Sequence, residues 1–349
     1  MAEYARRCLK DLLFGPGFDS PHLHINFSWA ITSYLPEIIM GDMPKLGIIL
    51  NPTAGRGRAA KIERPLVDYL HSRGIIHQLE KTKRPMDATV IAGQMCKEFD
   101  IIVAMGGDGT VNEVAAGILG STASLAIYPI GSGNDFNRLI GISSKMNLAI
   151  DSIISGTKKF IDIGRVVIQN SIGSTSVKYF MNTLGVGIDA EIAKEAKRIK
   201  FLRGLPLYIL AAMKALRKYP AHEYTIHTDG TVLKEKAYLI CAGNGIYEGG
   251  GFKMLPDSNP FDARLNLCLI RKMSLWGAIP VIIKIIKGTH REHKLISMWE
   301  TEQLSISSEH PFILHGDGEI FDENALDVTI DIIPSAINMV FPKEQKFAL

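Results

Sequence analysis

The chain has 349 residues, too many for one ordinary core and enough for two domains. Hydrophobic residues make up 46% and charged residues 21%, with a mean hydropathy of +0.11, so a globular protein is expected. A formal charge of only +3 argues against a dedicated nucleic-acid binder, and no uncharged apolar run reaches the ~18 residues that a spanning helix needs. The four cysteines, Cys8, Cys96, Cys241 and Cys268, form no CxxC pair. A reducing cytosol is the simpler expectation than a disulfide framework or a zinc site.

Residues 1–43 carry three Lys/Arg and five Asp/Glu, a net charge of −2. They fit neither a transit peptide nor a cleaved signal peptide. The apolar stretch Phe27–Met40 is short and holds Pro36, which suits a packed or interfacial segment; the whole is read as an extension docked on the domain that follows. From residue 44 the pattern changes. Leu46–Leu50 predicts a buried strand, Lys61–Arg73 a helix, Ile75–Leu79 a strand, and Asp87–Lys97 a helix with Asp87 as N-cap. Ile101–Met105 predicts a strand, Val111–Leu119 a helix and Leu125–Ile130 a strand. Such alternation indicates βαβ units on a parallel sheet.

Beyond about residue 160 the rhythm is different. Ile161–Ile168, Lys178–Leu184, Tyr224–His227 and Ala237–Ala242 predict strands, with a hairpin turn at Asp229-Gly230. Leu265–Ile270, Gln303–Ser307, Phe312–Leu314 and Asp327–Ile333 continue the series. Only two helices interrupt it, a long one over 188–219 and Leu275–Lys287. The expected fold is α/β in two domains. Residues 44–163 form a parallel α/β domain and 164–332 a mostly antiparallel β domain; that the first is nucleotide-binding, and that about 333–349 return to it, is implied by the family resemblance carried by the motifs that follow.

Three glycine-rich turns follow strands of the first domain: Asn51-Pro-Thr-Ala-Gly-Arg-Gly, Gly106-Gly-Asp-Gly-Thr-Val-Asn-Glu and Gly131-Ser-Gly-Asn-Asp-Phe. Open α/β sheets bind ligands at strand carboxyl ends, where glycine lets amide N–H groups approach phosphate oxygens. No Walker A loop and no Rossmann fingerprint is present. The residues Gly106–Glu113 resemble the GGDGTxNE signature of the diacylglycerol kinase catalytic-domain superfamily. Asn51-Pro52, Pro129-x-Gly131-Ser132-Gly133-Asn134-Asp135-Phe136, Ile161-Asp162-Ile163-Gly164, Gly185-Val-Gly187-Ile-Asp189-Ala190 and Gly316-Asp317-Gly318-Glu319 resemble its further motifs, in order, from residue 44 to about 340.

The resemblance implies a phosphofructokinase-like first domain and ATP bound at the glycine loops by Asn51, Thr53, Gly55, Gly106, Gly107, Asp108, Gly109, Thr110, Asn112, Ser132 and Asp135, with Thr82 beside them. It also implies an ATP- and Mg²⁺-dependent lipid kinase. Asp108 and Asp135 would belong to the Mg²⁺ network, with Asp162 a further member, since an acid beside phosphate needs a metal between them. Glu319 matches the family's proton acceptor, and Asp317 is the neighbouring candidate. A second, structural Mg²⁺ would use the Asp262 side chain and the carbonyls of Asn259 and Arg264; the family has Gly where this chain has Ala263.

Lys194, Lys197, Arg198, Lys200 and Arg203, ahead of the apolar Leu205–Leu210, form a stretch able to meet an anionic leaflet. The expected enzyme is peripheral at the inner face of the membrane, takes a lipid substrate, most simply diacylglycerol, binds no nucleic acid, and has a homodimer as an available state. Two other readings stay open: an NAD kinase, which shares GGDG, and a non-catalytic nucleotide or lipid sensor on the same fold.

Overall fold

The computed structural model describes residues 43–343 apart from 132, 200, 203 and 204. The expectations for the N-terminal extension, and for Ser132, Lys200 and Arg203, lie outside the described residues. Strands β1 (Leu46–Leu50), β3 (Ile101–Gly106) and β4 (Ser124–Pro129) are buried along their whole length. Apolar runs covered on both faces belong at the centre of a parallel sheet. They pair in parallel in the order β4-β3-β1, with β2 (His77–Lys81) at the edge. Helices α1 (Ala54–Ser72), α2 (Asp87–Met95), α3 (Asp108–Ile118), α4 (Asp135–Ile140) and α5 (Met146–Ser155) connect them.

The β-rich part comprises β5 (Thr157–Asn170), β6 (Thr175–Phe180), β7 (Thr183–Gly187), β8 (His222–Thr228), β9 (Thr231–Gly243), β10 (Leu265–Arg271), β11 (Ile296–Thr301), β12 (Gln303–Gly316) and β13 (Glu319–Phe341). Their pairings with one another are antiparallel. The end of β13 pairs in parallel with β4, so all thirteen strands join one sheet. The boundary drawn at 163/164 falls inside β5, which runs unbroken across it.

The second half of β9, from Ala237, and β10 are mostly apolar because each serves two cores. Ile240, Ala242, Leu265, Leu267 and Leu269 pack on one side with Phe180, Tyr224 and Phe312. Leu239, Cys241, Cys268 and Ile270 alternate to the other side. There they meet α7 (Leu205–Lys218) and α8 (Leu275–Lys287), which supply Ala215, Val281 and Ile285.

Several elements differ from expectation for physical reasons. The single helix over 188–219 is two, α6 (Asp189–Arg198) and α7, because Pro206 cannot occupy a helix interior and instead sits in the first turn of α7. The strand Lys178–Leu184 is split at Met181 and Asn182, whose amides are turned to a carboxylate described below. Asp87 is not an N-cap: its Oδ2 accepts from the amides of Lys83 (2.9 Å) and Arg84 (3.1 Å), ahead of the helix. Asp229-Gly230 forms the β8–β9 hairpin turn with φ of +46° and +74°, as the dipeptide indicates.

Candidate active site

The three glycine turns meet at the carboxyl ends of β1, β3 and β4. Gly131 lies so close to Gly107 that a Cβ on it would strike the Gly107 backbone, and a Cβ on Gly55 (φ +60°) would strike the Ile130 carbonyl. Glycine is therefore required by the packing of loop on loop. Asn51 ties the first two turns, donating from Nδ2 to Thr110 Oγ1 at 3.1 Å and accepting at Oδ1 from the Thr53 hydroxyl at 2.8 Å. Arg58, which the motif reading passed over, donates to the carbonyls of Gly55 (3.1 Å) and Ile130 (3.3 Å), joining the first turn to the third. Thr82 follows β2, and its amide bonds to the Leu50 carbonyl one strand away from Asn51. Gly107 caps α3, so the first-turn amides at Asp108, Gly109 and Thr110 lack intrahelical acceptors.

Asp108 and Asp135 converge over Gly133. Burial first, and then the Asp135 charge, push the Asp108 carboxyl up to about 6, although the amide of Phe136 donates to it at 3.4 Å. Burial also raises Asp135. Its Oδ2 accepts the amide of Gly250 at 2.7 Å, Arg138 stands 3.4 Å from Oδ1, and Oδ1 is buried with no hydrogen-bond donor. Two hard carboxylate oxygens, one lacking a donor, form a donor set that fits Mg²⁺.

The Asp317-Gly318 turn (φ +47° and +90°) joins β12 to β13 and places its two acids differently. Asp317 is buried and accepts three amides, of Met181 (2.6 Å), Asn182 (2.9 Å) and Thr183 (3.0 Å). A carboxylate so engaged holds the β6–β7 corner and is not placed to take a proton from a substrate. Glu319 is exposed, no described donor reaches its carboxylate, and that carboxylate lies against Gly109, where any Cβ would collide with it.

Other assignments change with the geometry. Asp162 is 2% exposed, and its two oxygens accept the amides of Ser335 (2.8 Å) and Ala263 (2.7 Å), so it ties chain segments together with both oxygens engaged. Asn112 donates to the Tyr179 carbonyl on β6 at 3.0 Å, turning towards the β-rich part. At the expected second metal site, Asn259 Oδ1 accepts the Phe261 amide and Asp262 Oδ1 accepts the Arg264 amide, leaving Asp262 Oδ2 without a described donor. Ala263 adopts φ +59° where the family has glycine. Ala263→Gly should therefore raise unfolding stability by up to about 1 kcal/mol in urea titration, the left-handed strain relieved outweighing the entropy glycine adds to the unfolded chain.

Beside the acids opens a cavity of about 480 Å³. Its inner walls are apolar: Ile188 and Ile192, Tyr208 and Leu216 of α7, and Val281 and Ile282 of α8. Asp108, Asp135 and Asp317 line one end, and Asp189, Glu248 and His315 form a second polar patch with their ligand atoms within 4.8 Å of one another. Burial opposes charge on His315, but Asp189, 3.3 Å away, and then Glu248 outweigh it and lift the imidazole to about 9. Burial, followed by Asp189, lifts Glu248 to about 8. Both groups bind protons more tightly folded than unfolded, where they titrate near 6.5 and 4.5. Their contribution to stability is full below those unfolded values and is lost as pH rises through the folded ones. The melting temperature should fall as pH rises from about 4.5 to about 9, and Glu248→Gln should flatten the fall between pH 4.5 and 6.5, below the range in which His315 loses its proton in either state.

Glycine loops at the carboxyl ends of a parallel sheet, paired acids and an apolar cavity are an arrangement suited to a kinase with an alcohol acceptor, and the relatives carry that class. Residues 45–166 match the diacylglycerol kinase catalytic domain model, and 182–341 match the YegS C-terminal NAD kinase beta sandwich-like domain. The diacylglycerol kinase of Bacillus subtilis (strain 168) is 30% identical over 284 residues, covering 79% of this chain and 90% of that protein. That of Staphylococcus aureus (strain MRSA252) is 28% identical over 276 residues, covering 78% and 85%. A crystal structure of a diacylglycerol kinase from Bacillus anthracis str. Sterne superposes with a TM-score of 0.68 at 25% identity, covering 86% of this chain and 98% of that one. The chain belongs to the diacylglycerol kinase family and is a lipid kinase of that family.

Proposed function

We propose that the enzyme transfers the γ-phosphate of ATP to the hydroxyl of a membrane lipid, diacylglycerol in the first instance. The observation that carries this reading is the Glu319 carboxylate, exposed and undonated, held against the first turn of α3 beside Asp108 and close to the apolar cavity. The α3 amides and the Asn51–Thr110 pair orient the phosphates. Asp108 and Asp135 would hold Mg²⁺, which when bound neutralises charge on the phosphate oxygens. The cavity takes the acyl chains and leaves the hydroxyl at its acidic end. Glu319 accepts the hydroxyl proton as the oxygen bonds to the γ-phosphorus and the bond to the β-phosphate oxygen breaks, releasing ADP. The proposal keeps a second cation at Asp262, with the carbonyls of Asn259 and Arg264, as a structural ion. It places the enzyme peripherally at the inner leaflet, without nucleic acid, and allows a homodimer.

The test is incubation of the purified full chain with radiolabelled ATP, Mg²⁺ and a total lipid extract, followed by thin-layer chromatography of the organic phase. Label running with phosphatidic acid supports diacylglycerol as substrate. Label on a water-soluble dinucleotide after addition of NAD would replace this reading with an NAD kinase. ATP binding with no labelled product would replace it with a sensor.

A further inference from the structure

Helix α8 is apolar on two faces, and the interior uses only one. It is a well-bounded helix: the Ser274 hydroxyl caps its start by accepting the Gly277 amide at 3.1 Å, and Gly288 (φ +72°) closes its end. Ala278, Val281 and Ile285 are buried, and with Ile282 they line the cavity. Along the opposite side run Trp276, Pro280 and Ile283, all exposed and spaced as one helical face. Trp276 is 75% exposed and Ile283 37%. The indole is amphipathic and suits the boundary between water and hydrocarbon. Pro280 leaves the Trp276 carbonyl without its helical donor, which a wet surface tolerates.

The segment that carries this face is charged with one sign. No Asp or Glu occurs from Ala263 to Arg291. Arg271 is paired with Glu235 and Arg291 with Asp257. Lys272 before the helix, and Lys284 and Lys287 in its last turn, make no ion pair among the described residues. In the basic stretch expected to meet an anionic leaflet, two of the described basic side chains are paired. Lys194 is bonded to Glu191 and Glu323, Arg198 to Glu195, and Tyr208 lines the cavity.

We propose that the Trp276–Pro280–Ile283 face of α8 lies in the interfacial zone of an anionic lipid bilayer, with Lys272, Lys284 and Lys287 at the head-group phosphates. The same helix is then the cavity wall on its inner side and the membrane contact on its outer side. A lipid leaving the leaflet therefore travels a short, continuously apolar route. This surface rests on the lipid-kinase reading above.

The test uses the full chain and vesicles of phosphatidylglycerol with phosphatidylcholine, against phosphatidylcholine alone, by sedimentation. Wild type should sediment with the anionic vesicles. The double variant Trp276→Ala, Ile283→Ser should bind them at least tenfold more weakly, and replacing each of the three lysines by Gln should cost about fivefold. In the double variant, phosphorylation of a short-chain, water-dissolved diacylglycerol should stay within about twofold of wild type, while that of a long-chain lipid in vesicles falls about tenfold. Unchanged vesicle binding in the double variant overturns the surface, as does a wild type with no preference for anionic vesicles. A variant that instead loses self-association, with vesicle binding intact, assigns the face to a second copy and also overturns it. Sedimentation decides the surface, and the short-chain assay separately decides the kinase reading.

Discussion

Replacing Glu319 by Gln should lower kcat by about 10²–10⁴-fold, the usual contribution of a positioned general base, while ATP affinity stays within about twofold. Glutamine keeps the size and the contact with Gly109 but cannot take up a proton. The side chain is exposed, and no described residue donates to it, so little folding stability depends on it. The effect should therefore appear in turnover and not in melting. Gly109→Ala provides a second view: the added methyl meets the far end of the Glu319 side chain and not backbone, so the protein should fold while kcat falls. A Glu319→Gln enzyme with normal kcat and a raised KM for ATP would place this carboxylate in nucleotide binding and remove it as proton acceptor.

Asp317→Ala should fail in the other readout. The change leaves three buried amides, of Met181, Asn182 and Thr183, without an acceptor. Each orphaned buried donor costs about 1–3 kcal/mol, so a loss of roughly 3 kcal/mol or more is expected, lowering the melting temperature by at least about 5 °C. Asp317→Asn should fall between, because one carboxamide oxygen still accepts while its NH₂ faces a donor. Activity should drop as well, through displacement of the turn that carries Glu319. Melting of Asp317→Ala within about 1 °C of wild type would show that the corner between β6 and β7 does not depend on this carboxylate.

The two acids of one Asp-Gly-Glu turn thus separate into an exposed carboxylate without a described donor and a buried one that holds three amides, and this separation marks the limit of a linear reading. The spacing Asp317-Gly318-Glu319 identifies a hairpin turn and a pair of carboxylates. Which of them is engaged depends on Met181–Thr183, more than 130 positions away in the chain. Asp162 is a similar case. Its motif suggests a metal ligand, but the amides of Ala263 and Ser335 occupy both its oxygens. Asn112 belongs to the glycine-loop signature and bonds to β6. Arg58 carries no motif signal, and only the meeting of the first and third turns gives it partners.

By itself the sequence determined what depends on neighbours a few residues apart. The apolar runs of β1, β3 and β4 indicate strands covered on both faces, and the glycines that follow them mark tight turns at the strand carboxyl ends, because backbone freedom and strand period are local properties. The Asp-Gly pairs at 229–230 and 317–318 set hairpin turns for the same reason. That the chain end returns to the first domain is expected; only the tertiary structure decided that it does so as the end of β13 paired with β4, how β9 and β10 serve two cores, and where an apolar cavity opens between α7, α8 and the acids. It also decided that α8 faces inward on one side and outward on the other, which the apolar residues on both of its faces cannot distinguish. Burial and charge pairing are properties of distant segments brought together, and no short window of sequence contains both partners.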